Sequence, residues 1–403
     1  MKILQLCKKF PYPIKDGEAI AITNLARALH QLGGELTLLC MNTSKHYFDP
    51  QQVPASFNYY QEIHTVDINT TLRAKDAFLN LFSKDSYHIA RFISTAFEER
   101  LASLLQRESF DVIQLETPYL APYLSTIRQH SSALVAMRAH NVEYEIWERI
   151  TQNTSFLPKK WYLQYLTSKL KRFEVHQLNL YDLLVSITTR DQNHFQQLGF
   201  RKQAVTVPIG IDLKDYPSET ACFERPLSIS FIGSLDWMPN QEGLQWFLQE
   251  VWNRLAPQYP QLQLHLAGRN TPDWIRQLAT EQLLVHGEVA DAHAFINDHA
   301  IMIVPLLSGS GMRVKILEGM ALGKVVLTTS IGLEGIDATH QKEVLIADTA
   351  DAFITNIQFA LKQASQLQQI GQNARMRIAD SYDNQTIAQK LLATYREALA
   401  HQK

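Results

Sequence analysis

The chain has 403 residues, of which 46% are hydrophobic and 19% are charged, so it holds enough apolar side chains to bury the core of more than one domain. At roughly 100–200 residues per domain, the length predicts two to four domains. The 38 basic and 40 acidic residues give a formal net charge of −2, and this balance provides no overall positive field that would favour nucleic acid.

Cysteine usage and the absence of long apolar runs indicate the compartment. Cys7, Cys40 and Cys222 are odd in number and show no spacing typical of a zinc site, which favours a reducing environment. The first residues lack the apolar run of a signal peptide, and no uncharged stretch of 18 residues occurs. We therefore expect a cytoplasmic protein that at most rests on the inner face of the plasma membrane.

Short apolar runs alternate with helical patterns along the first half of the chain. This alternation predicts a parallel sheet covered by helices. The predicted strands are 2–7, 35–41, 110–116, 133–138 and 182–188. A helix is predicted over 19–32, where Gly33 and Gly34 end the pattern.

The second half repeats this alternation after a predicted linker at 208–226, a segment rich in proline and glycine. Its predicted strands are 227–232, 261–267, 300–307 and 324–329, with helices at 241–255, 273–280, 290–299 and 313–322, and a last helix at 384–401. The fold class predicted is α/β, with two Rossmann-like domains facing each other across a cleft. They would span 1–208 and 209–381, with a helix at about 382–403 packing back onto the first domain. Ligands of such sheets bind beyond the carboxyl ends of the strands.

A glycine-rich loop follows the predicted strand 300–307 and leads directly into a helix. Gly309 and Gly311 would let the backbone approach an anion, and the helix N-terminus offers free N–H groups. We expect Arg313 and Lys315 in the first helical turn, where the helix dipole disfavours cations, so the pair indicates a dianionic partner. Glu318 follows Lys315 by three residues and shares its helix face.

Two other interpretations of this loop are open from the residues alone. It could be an ordinary turn between strand and helix with solvated charges. It could also bind a dinucleotide, since Gly309 and Gly311 match part of G-x-G-x-x-G and Glu334 follows about 20 residues later, although Val314 occupies the third glycine position. Gly233 with Ser234, and Arg269, follow two other predicted strands and would lie at the same edge of the sheet.

The order of GSLDWMPNQEGLQWF, LAGRNTP, SGSGMR with LEGMALGK, and VVLTTSIGLEGI resembles glycosyltransferase family 4, which has the GT-B fold. The resemblance implies no cofactor but a nucleotide-diphosphate sugar as co-substrate. Glu318 matches the second glutamate of the family's Glu-x7-Glu element and would contact the ribose, while Ser310 occupies the first position. The basic pair of the family is replaced by Ser234 and Asn240, so Arg269, Arg313 and Lys315 would bind the diphosphate. The donor-binding residues implied are Gly233, Ser234, Arg269, Gly309, Ser310, Gly311, Met312 and Glu318, with Arg313 and Lys315 also catalytic.

The acceptor-side candidates lie in the first half. The segment 10–18 resembles the family's glycine loop, and it contains Gly17 and Glu18. His140 follows the predicted strand 133–138; by position alone it could equally be a surface or core histidine, and the resemblance implies a catalytic place at the reacting sugar. The remaining acceptor-side candidates are Glu116, Asn141 and Glu143.

The segment 157–173 interleaves five basic residues with four aromatic ones in a helical pattern. Such a pattern is typical of an interfacial helix on anionic lipid, or of a helix that packs its aromatic side chains on its own domain. Peripheral membrane contact is therefore one of two expectations for this helix.

The function expected is transfer of a glycosyl group to a hydroxyl of a glycan or lipid-linked acceptor, as in polysaccharide biosynthesis. The resemblance implies retention of the anomeric configuration and no metal, and the sequence contains no Asp-x-Asp pair. The alternatives are a sugar-nucleotide epimerase of the same fold and a non-catalytic nucleotide-sugar-binding protein.

Overall fold

The computed structural model describes residues 1–14, 16–71, 80, 86–309 and 311–402. By its internal contacts the chain divides into unit 1, Met1–Gly210 with Asn384–Lys403, and unit 2, Ile211–Asp383. Most of the predicted linker 208–226 is not a linker, because it packs within unit 2. Cys222 is buried there, and the Ser218 hydroxyl donates to the Leu322 carbonyl at 2.8 Å.

Unit 1 is built on a seven-stranded parallel sheet with the strand order β3-β2-β1-β4-β5-β6-β7. The strands are β1 Lys2–Cys7, β2 Glu35–Thr43, β3 Glu62–Ile68, β4 Val112–Leu115, β5 Leu134–Ala139, β6 Leu183–Ser186 and β7 Gln203–Thr206. The two strands that the sequence did not predict, β3 and β7, lie at the edges, where their side chains are half-exposed and polar residues interrupt the apolar run.

Helices cover this sheet, and the first begins earlier than predicted. The helices are α1 Gly17–Gln31, α2 Tyr87–Ala90, α3 Thr95–Arg107, α4 Leu124–His130, α5 Glu143–Gln152, α6 Leu157–Gln177 and α7 Thr189–Gln197. The Asp16 carboxylate caps α1 by accepting a hydrogen bond from the Ala19 N–H, so Gly17 and Glu18 lie in the first turn of the helix and not in the preceding loop.

Unit 2 contains a six-stranded parallel sheet with the order β10-β9-β8-β11-β12-β13. The strands are β8 Ser228–Ile232, β9 Gln263–Ala267, β10 Leu283–Gly287, β11 Ile301–Val304, β12 Val325–Thr328 and β13 Leu345–Ile346. The unpredicted strands β10 and β13 are again at the edges. The α/β prediction of two Rossmann-like units is confirmed.

Helices of unit 2 pack on that sheet around buried aliphatic and aromatic side chains. They are α8 Met238–Trp246, α9 Asn253–Leu255, α10 Asp273–Arg276, α11 Ala292–Asn297, α12 Val314–Ala321, α13 Ala350–Lys362 and α14 Ala364–Ser381, with a π-helical turn at Phe247–Trp252. Short 3-10 helices occur in the two units at Ser44–His46, Pro50–Gln52, Pro118–Tyr123, Leu178–Leu180, Leu213–Asp215, Ala221–Phe223 and Ala256–Gln258.

The last helix, α15 Asn384–Gln402, belongs to unit 1 and packs against α1. The Asn384 side chain donates to the Asn24 carbonyl at 2.6 Å, and the Asn24 side chain donates to the Gly210 carbonyl at 2.9 Å. A Cβ on Gly210 would lie 2.4 Å from Asn384 Oδ1, so only glycine fits where the chain leaves unit 1.

Candidate active site

The loops that follow β8, β9 and β11 pack against one another at the carboxyl ends of the strands of unit 2. A Cβ on Gly268 would lie 2.0 Å from the Gly233 carbonyl oxygen. A Cβ on Gly243, in α8, would lie 2.1 Å from the Pro305 carbonyl oxygen just after β11. These glycines are therefore needed for close backbone contact, and they bring the three loops of the candidate donor site together.

Lys315, in the first turn of α12, is fixed against the end of β8 and the first turn of α8. Its ammonium donates to Asn240 Oδ1 at 2.9 Å and to the Ile232 carbonyl at 3.3 Å. Burial lowers the pKa of Lys315 to about 7, and the neighbouring Arg313 cation contributes to the shift. A Cβ on Gly233 would lie 2.9 Å from the Lys315 Nζ, so Gly233 leaves the space that the ammonium occupies.

Arg313 stands at the N-cap of α12, one residue before the helix, so the prediction that it lies in the first turn is wrong. Its side chain is buried and turns back to donate to the Gly311 carbonyl. Gly309 and Gly311 have φ values of +115° and +78°, which favour glycine, and Met312 is buried. Ser310 lies outside the described residues. The Arg313 guanidinium therefore lies next to the glycines of this loop.

Glu318 lies one turn further along α12 and contacts Tyr216, whose ring packs against His293. The Tyr216 hydroxyl donates to Glu318 Oε1 at 3.3 Å, and the Tyr216 ring centre is 4.6 Å from that of His293. Burial raises the pKa of Glu318, while His293 and the Tyr216 hydrogen bond oppose the shift. Tyr216 lies in the segment predicted as a linker, and His293 is one of 14 histidines, so no pattern identified either residue.

The loops after β8 and β9 are joined through Asp236. Its carboxylate accepts hydrogen bonds from the Ser234 hydroxyl at 2.5 Å and from the Asn270 side chain at 3.1 Å. The Leu235 N–H donates to the Arg269 carbonyl at 2.9 Å. Arg269 therefore has a fixed backbone at the carboxyl end of β9, and its side chain is partly exposed.

In unit 1, Glu116 and His140 follow the neighbouring strands β4 and β5 and contact each other. Glu116 is fully buried; its Oε2 lies 2.7 Å from His140 Nε2 and accepts a hydrogen bond from Arg138 Nη1 at 3.1 Å. Burial alone would raise the pKa of Glu116, but the Arg138 cation and the His140 hydrogen bond hold it at about 2. The two candidates that sequence reasoning placed separately thus form one pair.

Glu18, in the first turn of α1, is paired with two lysines that were not predicted as site residues. Its Oε2 lies 3.3 Å from the Lys9 ammonium and 3.6 Å from that of Lys8, while Lys9 also donates to Asp16 at 2.7 Å. Burial raises the pKa of Glu18, and the two lysines outweigh this effect and lower it to about 2. The signal for these lysines was present in the sequence, since both come directly after β1.

Glu143 is the first residue of α5, and both its carboxylate and its backbone N–H form hydrogen bonds within unit 1. Its carboxylate accepts a hydrogen bond from the Tyr119 hydroxyl at 3.1 Å, and its N–H donates to the Glu174 carboxylate at 3.1 Å. Burial and the nearby Glu143 raise the pKa of Glu174 to about 8. Asn141 lies between β5 and α5 and is partly buried.

The segment 157–173 forms the first part of α6 and divides into two halves. The first half exposes large side chains, with Leu157 60% and Trp161 69% accessible to solvent. In the second half, Lys169 is buried and donates to the Asn80 carbonyl, and Lys171 pairs with Glu148 at 3.4 Å. Among the described residues no helix combines the length and the apolar character needed to cross a membrane. In the same part of the chain, no group of three or more His, Cys, Asp or Glu side chains is arranged to hold a metal ion.

Two family models match the chain: Glycosyltransferase Family 4 over residues 16–215 and Glycosyl transferases group 1 over residues 226–363. An uncharacterized 44.6 kDa protein from the cps region of Klebsiella pneumoniae is 24% identical over 359 residues, which cover 80% of this chain and 89% of that protein.

Solved structures agree with this match at the level of the fold. Sucrose-phosphate synthase from Thermosynechococcus elongatus has a TM-score of 0.75 at 16% identity, with 100% of both chains covered. HepE from Anabaena, in complex with UDP, has a TM-score of 0.69 at 13% identity, with 98% of this chain and 100% of that chain covered. HepE has also been solved with UDP-glucose.

Proposed function

The chain belongs to the glycosyltransferases of family 4 and group 1, and we propose that it moves a sugar from a nucleotide-diphosphate donor to a hydroxyl of a glycan or lipid-linked acceptor. The observation that carries the donor class is the position of Lys315 and Arg313 beside the glycine-rich loop of unit 2. Two cations and backbone N–H groups at a helix N-terminus suit a diphosphate. The UDP complexes of HepE, and the cps region that holds the Klebsiella relative, support this choice and a role in polysaccharide biosynthesis.

In this proposal Lys315 and Arg313 stabilise the negative charge that grows on the leaving diphosphate as the glycosidic bond breaks. Both are fixed before the donor arrives, Lys315 by Asn240 and Arg313 by the Gly311 carbonyl. Groups that are already oriented need no reorganisation during the reaction, and this is the source of their catalytic effect. Arg269 would contact the same diphosphate from the loop after β9.

Glu318 would bind the ribose of the donor. A carboxylate accepts hydrogen bonds from hydroxyl groups and donates none, so it suits the two ribose hydroxyls. One of its oxygens already accepts from Tyr216, which orients the carboxylate. In unit 1, His140 would contact a hydroxyl of the reacting sugar or acceptor, as the family resemblance implies.

We further propose that transfer retains the anomeric configuration and requires no metal. The support is the family resemblance together with the cations Lys315 and Arg313, which supply the positive charge that a metal would otherwise bring to the diphosphate. Sugar-nucleotide donors incubated with the enzyme and an acceptor fraction should release free nucleoside diphosphate only when acceptor is present, with EDTA having no effect. NMR of the product should show the anomeric configuration of the donor.

The same assay separates the alternatives. An epimerase or a binding protein would release no nucleoside diphosphate under either condition. Lys315→Met is the matched control, because it removes the ammonium from the diphosphate site and should abolish release. Product of opposite anomeric configuration, or activity lost with EDTA and restored by a divalent cation, would refute the corresponding part of the proposal.

The exposed start of α6 would place the enzyme on anionic lipid. Phe156, Leu157 and Trp161 are exposed together with the basic residue Lys159, which is the combination that an interfacial helix uses. Sedimentation with anionic vesicles should fall with rising salt, and it should fall further for Trp161→Ala than for Met376→Ala, an exposed residue of α14. Equal binding to neutral and anionic vesicles would rule out this surface as the lipid contact.

A further inference from the structure

We propose that Glu116 fixes a proton of His140 on Nε2, so that in the neutral form of the ring Nδ1 is the hydrogen-bond acceptor presented to a sugar hydroxyl. This inference rests on the proposed function, because it assigns which atom of His140 meets the substrate. It makes Glu116 a positioning residue, since a fully buried carboxylate acts through the histidine.

The carboxylate of Glu116 has four polar neighbours, two at each oxygen. Oε1 accepts from the side-chain amides of Gln5 and Gln114, while Oε2 accepts from Arg138 and lies 2.7 Å from His140 Nε2. The orientation of both amides is fixed by tyrosines, because Gln5 Oε1 accepts from the Tyr60 hydroxyl and Gln114 Oε1 accepts from the Tyr395 hydroxyl.

The tyrosine contacts are 2.6 Å for Tyr60 and 2.5 Å for Tyr395. With their oxygens occupied in this way, both glutamines turn N–H groups toward Glu116. A protonated Glu116 would therefore have no acceptor among three of its four neighbours, since a guanidinium also only donates. Glu116 is the carboxylate that pairs with Arg138, which is itself fully buried, and an unpaired guanidinium in that position would be strongly unfavourable. Glu116 is consequently ionised.

An ionised carboxylate can only accept, so the His140 nitrogen that contacts it at 2.7 Å must carry a hydrogen. In neutral imidazole the second nitrogen is then an acceptor. His140 Nδ1 makes no hydrogen bond to any other residue in the described part of the chain, and the side chain keeps 8% exposure at the carboxyl end of β5. Phosphate oxygens offer no hydrogen to such a nitrogen, whereas a sugar hydroxyl does. With its proton held on Nε2, the neutral ring of His140 therefore selects a hydroxyl as its partner.

Two substitutions of His140 separate its two nitrogens. The amide of His140→Asn lies near the position of Nδ1 and can still accept a hydrogen bond, but it cannot reach Glu116. The amide of His140→Gln lies near the position of Nε2 and keeps the Glu116 contact, but it offers nothing at Nδ1. We expect His140→Asn to retain at least tenfold more kcat than His140→Gln, while His140→Gln has the higher Tm. A purely structural role would give activity and Tm the same order, and activity of His140→Gln equal to or above that of His140→Asn would overturn the proposal.

The tautomer is measured directly by NMR of the full chain labelled with 15N-histidine at pH 8, with the His140 signals assigned by their loss in His140→Gln. We expect a protonated Nε2 and an unprotonated Nδ1, and Glu116→Gln should change this pattern if it folds. The opposite tautomer in the unmodified protein would overturn the proposal. This spectrum needs no turnover, so absence of transferase activity would refute the proposed function and leave the tautomer result standing on its own.

Discussion

Donor binding should take up a proton at Lys315, and the affinity should therefore depend on pH above neutrality. Burial, together with Arg313, lowers the pKa of the free ammonium to about 7, so half of the empty sites carry the charge at that pH. A bound diphosphate stabilises the charged form and should restore the pKa to its ordinary value near 10.4. A group whose pKa rises on binding contributes fully to the affinity at pH values below the pKa of the free protein. This contribution is lost as the pH rises above that value.

The size of the effect follows from these two values. The fraction of charged sites falls from about one half at pH 7 to about one hundredth at pH 9, so the Kd for a nucleotide sugar should rise about 50-fold, or about 2.3 kcal/mol. Between pH 6 and pH 7 the change should be only about twofold. A nucleotide sugar is the right ligand because its diphosphate is esterified at both ends and does not titrate in this range, and Arg313 stays charged throughout.

Isothermal titration calorimetry with UDP-glucose measures both quantities. Titrations in buffers of different ionisation enthalpy should report uptake of about 0.5 proton per ligand at pH 7 and about 0.9 at pH 8. Lys315→Arg is the matched control, since a guanidinium remains charged and should remove the pH dependence. Identical Kd values at pH 7 and pH 9 with no proton uptake would refute the assignment of Lys315 to the diphosphate.

Three further outcomes test other parts of unit 2. Arg313→Ala should lower kcat/KM by the equivalent of about 2–4 kcal/mol, and an unchanged kcat/KM would remove Arg313 from the diphosphate site. Glu318→Gln should weaken binding of UDP about tenfold and Tyr216→Phe only about two- to fivefold; calorimetry showing the reverse order would contradict the ribose assignment. Burial and two neighbouring histidines lower the pKa of His299 to about 3, so its neutral form stabilises the folded state above pH 6.5 and this stability is lost as the pH falls toward 3. Urea denaturation should show that the unmodified protein loses about 2 kcal/mol more stability between pH 7 and pH 5 than His299→Asn does.

The sequence predicted the strands that lie inside each sheet because both of their faces are buried and their residues form unbroken apolar runs. It missed β3, β7 and β10, where exposure at the edge allows polar residues such as His64, Gln203 and His286, and it missed β13, which has only two residues. Helix ends were displaced by single capping contacts, as at Asp16, whose carboxylate starts α1 two residues before the predicted position.

The sequence predicted individual residues of the candidate site, but it did not predict the contacts between them. Lys315 was identified from its place after a glycine loop, but its partner Asn240 lies 75 residues away in the chain. Glu116 and His140 were each selected for their place at the end of a strand. Nothing in their spacing indicated that the Glu116 carboxylate would contact the His140 ring. Contacts of this kind depend on the strand order of the sheet, which places β4 beside β5.

The return of the chain to unit 1 has a consequence for how the protein is synthesised. Residues such as Leu391 and Tyr395 of α15 complete the core that contains Ile22 of α1, and the Tyr395 hydroxyl is the partner of Gln114. At about 5–20 residues per second, a ribosome needs about 10–35 s to make the 173 residues from Ile211 to Asp383 before α15 appears. During that interval the apolar face of α1 lacks its cover, although every strand of its sheet has been made. Synthesis of unit 2 starts after that of unit 1 but is complete at Asp383, before α15 is made. Unit 2 is therefore the first of the two that can finish folding.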